Sequence, residues 1–176
     1  MKLDEIMNKI QNAETPNDEL YTPSSLSLKL ISEIEINEGE SCYDPFYGTG
    51  SFYNNFPPNP KNALTEINLG SDFFKYNEKH DWLISNPPFS QLTKILEHSM
   101  KLSKVGFAYI MPAYSLTHSR LKLINQFDFH IEKMVFFKNP KEWALGFQMI
   151  FVIFTKSKNE SFVNLESDNS IQMRLI

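Results

Sequence analysis

Cysteine, glycine and long apolar runs are all scarce in this sequence, and each scarcity excludes a class of protein. The single cysteine, Cys42, leaves no intramolecular disulfide framework and no multi-cysteine zinc site, which is typical of a reducing compartment. No apolar run approaches the roughly 20 residues that a membrane span needs. The first ten residues, MKLDEIMNKI, carry charges where a signal peptide needs an apolar segment. We therefore expect a cytoplasmic protein with no membrane partner, in a bacterium or in the host cell of a virus.

The residues that are plentiful predict one well-filled globular domain. Hydrophobic residues make up 41% of the chain, and 15 phenylalanines supply large side chains for a core. A length of 176 residues is enough for one ordinary domain and short for two. We expect residues 1–176 to form a single domain, with a peripheral N-terminal helix in 1–20 and an edge element or loose tail in 158–176.

Charge is distributed unevenly along the chain. The net charge of −4 argues against a partner rich in phosphate. Residues 1–91, however, contain 6 Lys and Arg against 14 Asp and Glu, whereas residues 92–158 contain 10 against 4, which gives a local charge of +6. A basic block of this kind favours nucleic acid as the partner, although a solvated helix face is the more typical place for any one of its lysines.

Apolar runs alternate with helical patterns after residue 20. A helix is predicted from Pro23, capped by Thr22 and ending before Gly39, and two more over 91–103 and 115–127. Strands are predicted at 41–44, 63–67, 81–85, 105–111, 131–137 and 147–155. This alternation predicts an α/β fold with a largely parallel sheet and helices on both faces. Because no crossover helix separates the last two strands, we expect them to form an antiparallel edge hairpin.

Two of the six glycines lie together in the segment Asp44-Pro45-Phe46-Tyr47-Gly48-Thr49-Gly50, directly after the first strand. A Gly-x-Gly turn lets the backbone approach a ligand closely, and the aspartate supplies an acceptor at the strand tip. Taken alone, Gly-x-Gly is as typical of an ordinary tight turn. The absence of a third glycine and of a Gly-Lys-Ser/Thr ending argues against a dinucleotide fingerprint and a P-loop.

Acidic and aromatic residues follow the second predicted strand. Glu66 lies 22 residues after Asp44, the interval at which an acid accepts from ribose hydroxyls in sheets of this kind. A solvated carboxylate at a strand end is the alternative. Asp72 and Phe73 pair an acceptor with an aromatic face, as an adenine amine and ring require, although Phe73 and Phe74 are equally typical of a core.

The most specific motif is Asn86-Pro87-Pro88-Phe89, directly after the third predicted strand. Two consecutive prolines fix the backbone and remove two N–H donors, so that carbonyl oxygens can face a ligand. The side-chain carbonyl of Asn86 adds a further acceptor, and Phe89 offers a flat surface for a base. The histidines at 80, 98, 118 and 130 lack metal-ligand spacing, so we expect no metal.

These motifs resemble those of S-adenosylmethionine (SAM)-dependent amino-methyltransferases, in particular the N6-adenine methyltransferases of DNA. DPFYGTG is similar to their first motif and NPPF to their catalytic motif, and Tyr21-Thr22-Pro23 precedes both, as in the gamma-type order. The resemblance covers about residues 20–155. It implies a Rossmann-like methyltransferase fold, SAM as cofactor, and methyl transfer to the N6 amine of adenine in DNA.

The resemblance also implies roles for individual residues. It assigns the cofactor site to Tyr21, Thr22, Pro23, Asp44, Phe46, Gly48, Gly50, Glu66, Asp72 and Phe73. Within that set, Asp44 would accept from the cofactor ammonium, Glu66 would hold the ribose, and Asp72 and Phe73 would meet the adenine. It assigns catalysis to Asn86, Pro87, Pro88 and Phe89. Asn86 and the Pro87 carbonyl would hold the target amine, and Phe89 would stack on the target base.

Three alternatives stay open at this level. An RNA adenosine or protein glutamine methyltransferase uses a closely similar tetrapeptide, and a non-catalytic cofactor-binding subunit would share the fold. About 20 residues follow the last predicted strand. We therefore expect a short or relaxed recognition site, a single-stranded substrate, or specificity supplied by a homodimer or a partner chain.

Overall fold

The computed structural model describes residues 20–156 and two short strands, β7 (Val163–Leu165) and β8 (Ile171–Met173). These two strands pair with each other in an antiparallel two-stranded sheet. The helix predicted in residues 1–20 lies outside the described residues, as does the rest of the predicted tail. In the described part of the chain, no helix is long and apolar enough to cross a membrane.

The main sheet has six strands in the order β2-β1-β3-β4-β6-β5. They are β1 (Cys42–Asp44), β2 (Ala63–Leu64), β3 (His80–Ser85), β4 (Ser103–Pro112), β5 (His130–Phe136) and β6 (Met149–Thr155). The pairs among β1 to β4 are parallel, whereas β6 runs antiparallel to both of its neighbours. The predicted α/β fold with an antiparallel edge is confirmed, with β6 inserted between β4 and the edge strand β5.

Three α-helices cover the two faces of this sheet: α1 (Ser24–Ile31), α2 (Leu92–Leu102) and α3 (His118–Gln126). The prediction for α1 was wrong at both ends. Pro23 precedes the helix, and no side chain caps it. At its other end the Ser32 hydroxyl donates to the Lys29 carbonyl, and the Ile34 N–H donates to Ile31 in a tighter turn. The chain therefore leaves the helix several residues before Gly39.

Alternating side chains of the strands build two apolar cores. Tyr43, Leu83 and Phe107 pack with buried residues of α2 and α3 on one face, while Cys42 and Trp82 pack with those of α1 on the other. Burial raises the pKa of the Cys42 thiol to about 12, so the thiol stays protonated at neutral pH. Cys42 is thus a core residue.

The strand order places a crevice where the parallel strands end, and not along the outer strand β5. From β1 the chain passes to β2 on one side and then to β3 on the other, so β1 lies where the strand order reverses. The loops after β1 and β3 diverge there, and this is where ligands bind in open α/β sheets. We call this edge, at which β1 to β5 end and β6 begins, the carboxyl edge, and the opposite one the amino edge.

Candidate active site

A cavity of about 150 Å³ lies at the carboxyl edge. Its wall is formed by residues 20–22, 46–49, 51–52 and 66–68, together with Asn86 and Pro88. The fold therefore gathers the Tyr-Thr-Pro element, the glycine loop, the acid after β2 and the proline motif around one space. Three of these motifs follow β1, β2 and β3, parallel strands that all end at this edge, and the Tyr-Thr-Pro element joins them at the start of α1.

Asp44 lies beneath the glycine loop and is fully buried. Its carboxylate accepts from the Ser85 hydroxyl at 2.6 Å and from the backbone N–H groups of Phe46 and Tyr53, both at 3.3 Å. Burial raises its pKa to about 7, despite these hydrogen bonds. Asp44 thus organises the loop from below, and its contact with a cofactor ammonium stays a prediction.

Glu66 joins the end of β2 to the glycine loop. One carboxylate oxygen accepts from the Gly48 N–H at 2.9 Å, and the other accepts from the Asn68 N–H at 3.1 Å. The next two residues, Ile67 and Asn68, also line the cavity, and Ile67 is 67% exposed. Sequence reasoning missed both, although their position directly after the acid could have indicated them.

Asp72 and Phe73 lie behind the cavity wall. The Asp72 side chain accepts from the Phe74 N–H and caps a short 3-10 helix. Phe73 is only 4% exposed and packs against Phe46 with ring centroids 5.0 Å apart. Of the two phenylalanines, Phe73 is the core residue, and it supports Phe46, which does line the cavity. Contact of Asp72 and Phe73 with a cofactor adenine stays a prediction.

Residues 20–23, which we call the strap, are held across the cavity by three different loops. Asn86 donates through Nδ2 to the Leu20 carbonyl at 2.7 Å, and Trp143 donates through Nε1 to the Tyr21 carbonyl at 2.9 Å. The Ser51 hydroxyl of the glycine loop donates to the Thr22 carbonyl. The strap therefore depends on the Asn-Pro-Pro-Phe motif, the glycine loop and the β5–β6 loop at once.

The Asn86 side chain has a fixed orientation, and one of its two polar atoms has no hydrogen-bond partner among the described residues. Because the Leu20 carbonyl can only accept, the amide nitrogen must face it, and this fixes the direction of Oδ1. Oδ1 is buried and has no hydrogen-bond partner among the described residues. An unpaired buried acceptor costs about 1–3 kcal/mol, and its persistence in a cavity wall indicates a function.

The rest of the motif surrounds this acceptor. Pro87 is buried, and Pro88 lines the cavity. Phe89 is partly buried against the apolar core on the α1 face, so its stacking on a target base stays a prediction. In the described part of the chain, no group of three His, Cys, Asp or Glu side chains is placed to hold a metal ion.

We expect Trp143→Phe to weaken binding of the expected cofactor while leaving the Asn86 acceptor, Oδ1, in place. Trp143 is buried, and phenylalanine keeps most of its packing while deleting the hydrogen bond to the strap. A lost hydrogen bond of about 1–1.5 kcal/mol corresponds to an affinity loss of about fivefold to tenfold. Calorimetric titration with SAM measures this change, and an unaltered affinity would contradict the role of the strap.

Solved methyltransferase structures match this fold. A proposed RNA methyltransferase from Pyrococcus horikoshii has a TM-score of 0.63 at 20% identity, over 89% of this chain and 96% of that chain. Magnesium protoporphyrin IX methyltransferase from Synechocystis PCC 6803, solved with bound SAM, has a TM-score of 0.51 at 10% identity, over 76% and 77%. This chain has a methyltransferase-like fold.

A larger protein contains the same fold as one part. The M protein of the type I restriction enzyme EcoKI has a TM-score of 0.60 at 15% identity, over 80% of this chain but only 44% of that chain. No protein-family model matches the sequence, and no curated protein matches it at a significant level. At these identities the likeness shows the fold alone.

Proposed function

We propose that this chain is a SAM-dependent methyltransferase that transfers a methyl group to the N6 amine of adenine in DNA. The observation that carries the proposal is the unpaired, buried Oδ1 of Asn86 at the end of β3. An acceptor without a donor suits a substrate that brings its own N–H, and an exocyclic amine does so. The similarity of NPPF to amino-methyltransferase motifs supports the same substrate group.

The cavity offers groups that fit SAM. Exposed Ile67 provides an apolar surface for a base, and the Glu66 carboxylate has lone pairs left for hydroxyl groups. The Tyr21 ring lies over Gly48, where an added Cβ would come within 3.5 Å of it, so the loop and strap already pack closely. When bound, SAM supplies a methyl group that its sulfonium charge has already activated.

The protein's own contribution is to orient and polarise the amine. The N6 lone pair of adenine is delocalised into the ring and is a poor nucleophile. Acceptors on the two amine hydrogens, Asn86 Oδ1 and the Pro87 carbonyl, favour the pyramidal amine and stabilise the positive charge that develops on nitrogen. Alignment of the reacting atoms supplies the remainder, so no strong base is required.

Cofactor affinity is expected to rise with pH around neutrality. The pKa of Asp44, raised by burial to about 7, keeps its carboxyl group largely protonated at lower pH. If a cationic cofactor binds the carboxylate form more tightly, binding releases a proton, and affinity increases about tenfold between about pH 6 and pH 7.5. Calorimetry across this range tests the expectation. Asp44→Asn should flatten the profile, whereas an unchanged slope in this variant would exclude Asp44 as the titrating group.

A substrate screen tests the proposed reaction. The full chain is incubated with labelled SAM and double-stranded DNA, single-stranded DNA, RNA or a glutamine-containing protein. Label on adenine N6 of DNA supports the proposal. Label on RNA alone would make RNA the substrate in place of DNA, in line with the activity proposed for the Pyrococcus horikoshii neighbour.

Because the fold matches less than half of the EcoKI M protein, we include a homodimer or a specificity-conferring partner chain in the proposal.

A further inference from the structure

An aromatic pair with one exposed ring lies at the carboxyl edge, where the candidate active site also lies. Tyr114 follows β4 and Phe147 precedes β6, at the point where Pro112 pairs with Met149 at the carboxyl edge. The two rings meet edge to face, with centroids 5.2 Å apart. Tyr114 is nevertheless 67% exposed. A large aromatic ring that is fixed by a neighbour and open to solvent is suited to stacking on a ligand.

Arg120 ties this pair to the catalytic motif. Its guanidinium donates to the Thr93 hydroxyl at 3.0 Å and to the Ser115 carbonyl at 2.7 Å. Thr93 lies at the start of α2, four residues after Phe89, and Ser115 directly follows Tyr114. The aromatic pair and the catalytic motif are therefore held to the same part of the carboxyl edge.

The basic block divides into paired and unpaired cations. Lys101 pairs with Glu97 at the end of α2, Lys104 pairs with Asp81 at the start of β4, and Lys156 donates to the Ser103 carbonyl. These three lie toward the amino edge, and a fourth lysine, Lys133, pairs with Glu33 from within β5. Part of the positive charge of the block is therefore neutralised in ion pairs that lie away from the candidate site.

The other lysines of the block that lie within residues 92–156 face solvent. Lys94 is in the first turn of α2, Lys122 is in α3, and Lys138 and Lys141 are in the loop after β5. None of these four side chains has a hydrogen bond or an ion pair with the residues that the structure describes. Glu142 is the acidic residue among them in the β5–β6 loop. Lys94, Lys138 and Lys141 therefore leave unpaired positive charge close to the carboxyl edge, whereas Asp128 and Glu132, the block's other acids without an ion pair, lie just before β5 or in its first half, toward the amino edge.

We propose that this surface binds a single-stranded nucleic-acid segment and that Tyr114, backed by Phe147, stacks on a base next to the target. The choice of a base as the ligand rests on the proposed function. Aromatic platforms flanked by cations are how proteins hold single strands, because each base has a free face and each nucleotide a phosphate. In a duplex those faces are already stacked, and the target base must also be flipped out.

Fluorescence anisotropy with the full chain tests this surface without cofactor. The probes are an adenine-containing strand of about 12 nucleotides and the duplex of the same sequence. We expect the single strand to bind more tightly, Tyr114→Ala to weaken its binding about tenfold, and Tyr114→Phe to bind nearly as the parent does. Duplex binding as tight as that of the single strand, or a Tyr114→Ala variant that binds normally, would overturn the proposal.

Paired and unpaired lysines provide the matched control. The double variant Lys138→Ala and Lys141→Ala should weaken binding and lower the dependence of log affinity on log salt by about 1 to 2. Lys101→Ala, which removes a lysine of the same block that is already paired, should leave both unchanged. If Lys101→Ala weakened binding equally, binding would depend on the overall charge of the chain and not on this surface, and the proposed site would be refuted.

The outcomes separate this surface from the reaction itself. If the chain binds single strands through Tyr114 but transfers no label to adenine, the proposed function is refuted and the proposed binding surface is not. A chain that labels duplex DNA, with Tyr114→Ala as active as the parent, would refute the surface and leave the function standing.

Discussion

Replacing Asn86 with alanine is expected to lower the rate of methyl transfer by about 10³-fold. The variant removes Oδ1, the buried acceptor that has no partner among the described residues and that we assign to the target amine. Loss of one preorganised group at a reacting centre costs about 10²–10³ in rate, and poor positioning of the amine adds to that loss. Initial rates with labelled SAM and excess DNA measure the effect.

The same variant also removes the hydrogen bond from Nδ2 to the strap, so a control must separate the two losses. Trp143→Phe deletes a different side-chain hydrogen bond to the strap, at Tyr21, and keeps Oδ1. We expect both variants to bind SAM several-fold more weakly and only Asn86→Ala to lose turnover at saturating cofactor. Equal turnover in the two variants, or full activity of Asn86→Ala, would contradict the assigned mechanism.

The sheet could be predicted from the sequence because both of its faces are buried. All seven residues of β6 are buried, which makes this strand a continuous apolar run. The prediction for β2 was too long, since the strand ends at Leu64 and not at residue 67. The two residues after Leu64 have polar side chains that bind the glycine loop. The Thr65 hydroxyl donates to the Pro45 carbonyl, and the Glu66 carboxylate accepts from the Gly48 N–H. The backbone also turns to the glycine loop here, because the Thr65 carbonyl accepts from the Tyr47 N–H.

The place of the site could be predicted, but the direction of its side chains could not. Spacing along the chain shows which strand end a residue follows, and this was enough to bring Glu66 and Asn86 to one cavity. It does not show that Phe73 turns into the core. It also gives no sign that Trp143 holds Tyr21 across 122 residues of sequence, because that contact depends on how the β5–β6 loop packs over the finished sheet.

Gly50→Ala is expected to have the second-largest effect, on cofactor binding and on stability together. Gly50 has a φ of +82°, which an L-residue adopts at a cost of about 1–2 kcal/mol. An added Cβ would also lie 2.6 Å from the Tyr47 hydroxyl and 2.8 Å from Asn54 Nδ2. The Tyr47 side chain, which lines the cavity, must therefore shift. We expect SAM affinity to fall at least about tenfold and the free energy of unfolding to fall by about 2 kcal/mol.

Gly39 provides the matched control for this prediction. Its φ of +86° imposes nearly the same backbone strain, but an added Cβ would meet nothing within 4 Å. It precedes β1, at the amino edge. Gly39→Ala should therefore lose about 1 kcal/mol of stability in chemical denaturation, from the strain alone, and bind SAM as the parent does. If the two variants bound SAM equally well, the close packing of Tyr47 against Gly50 would have no part in forming the cofactor site.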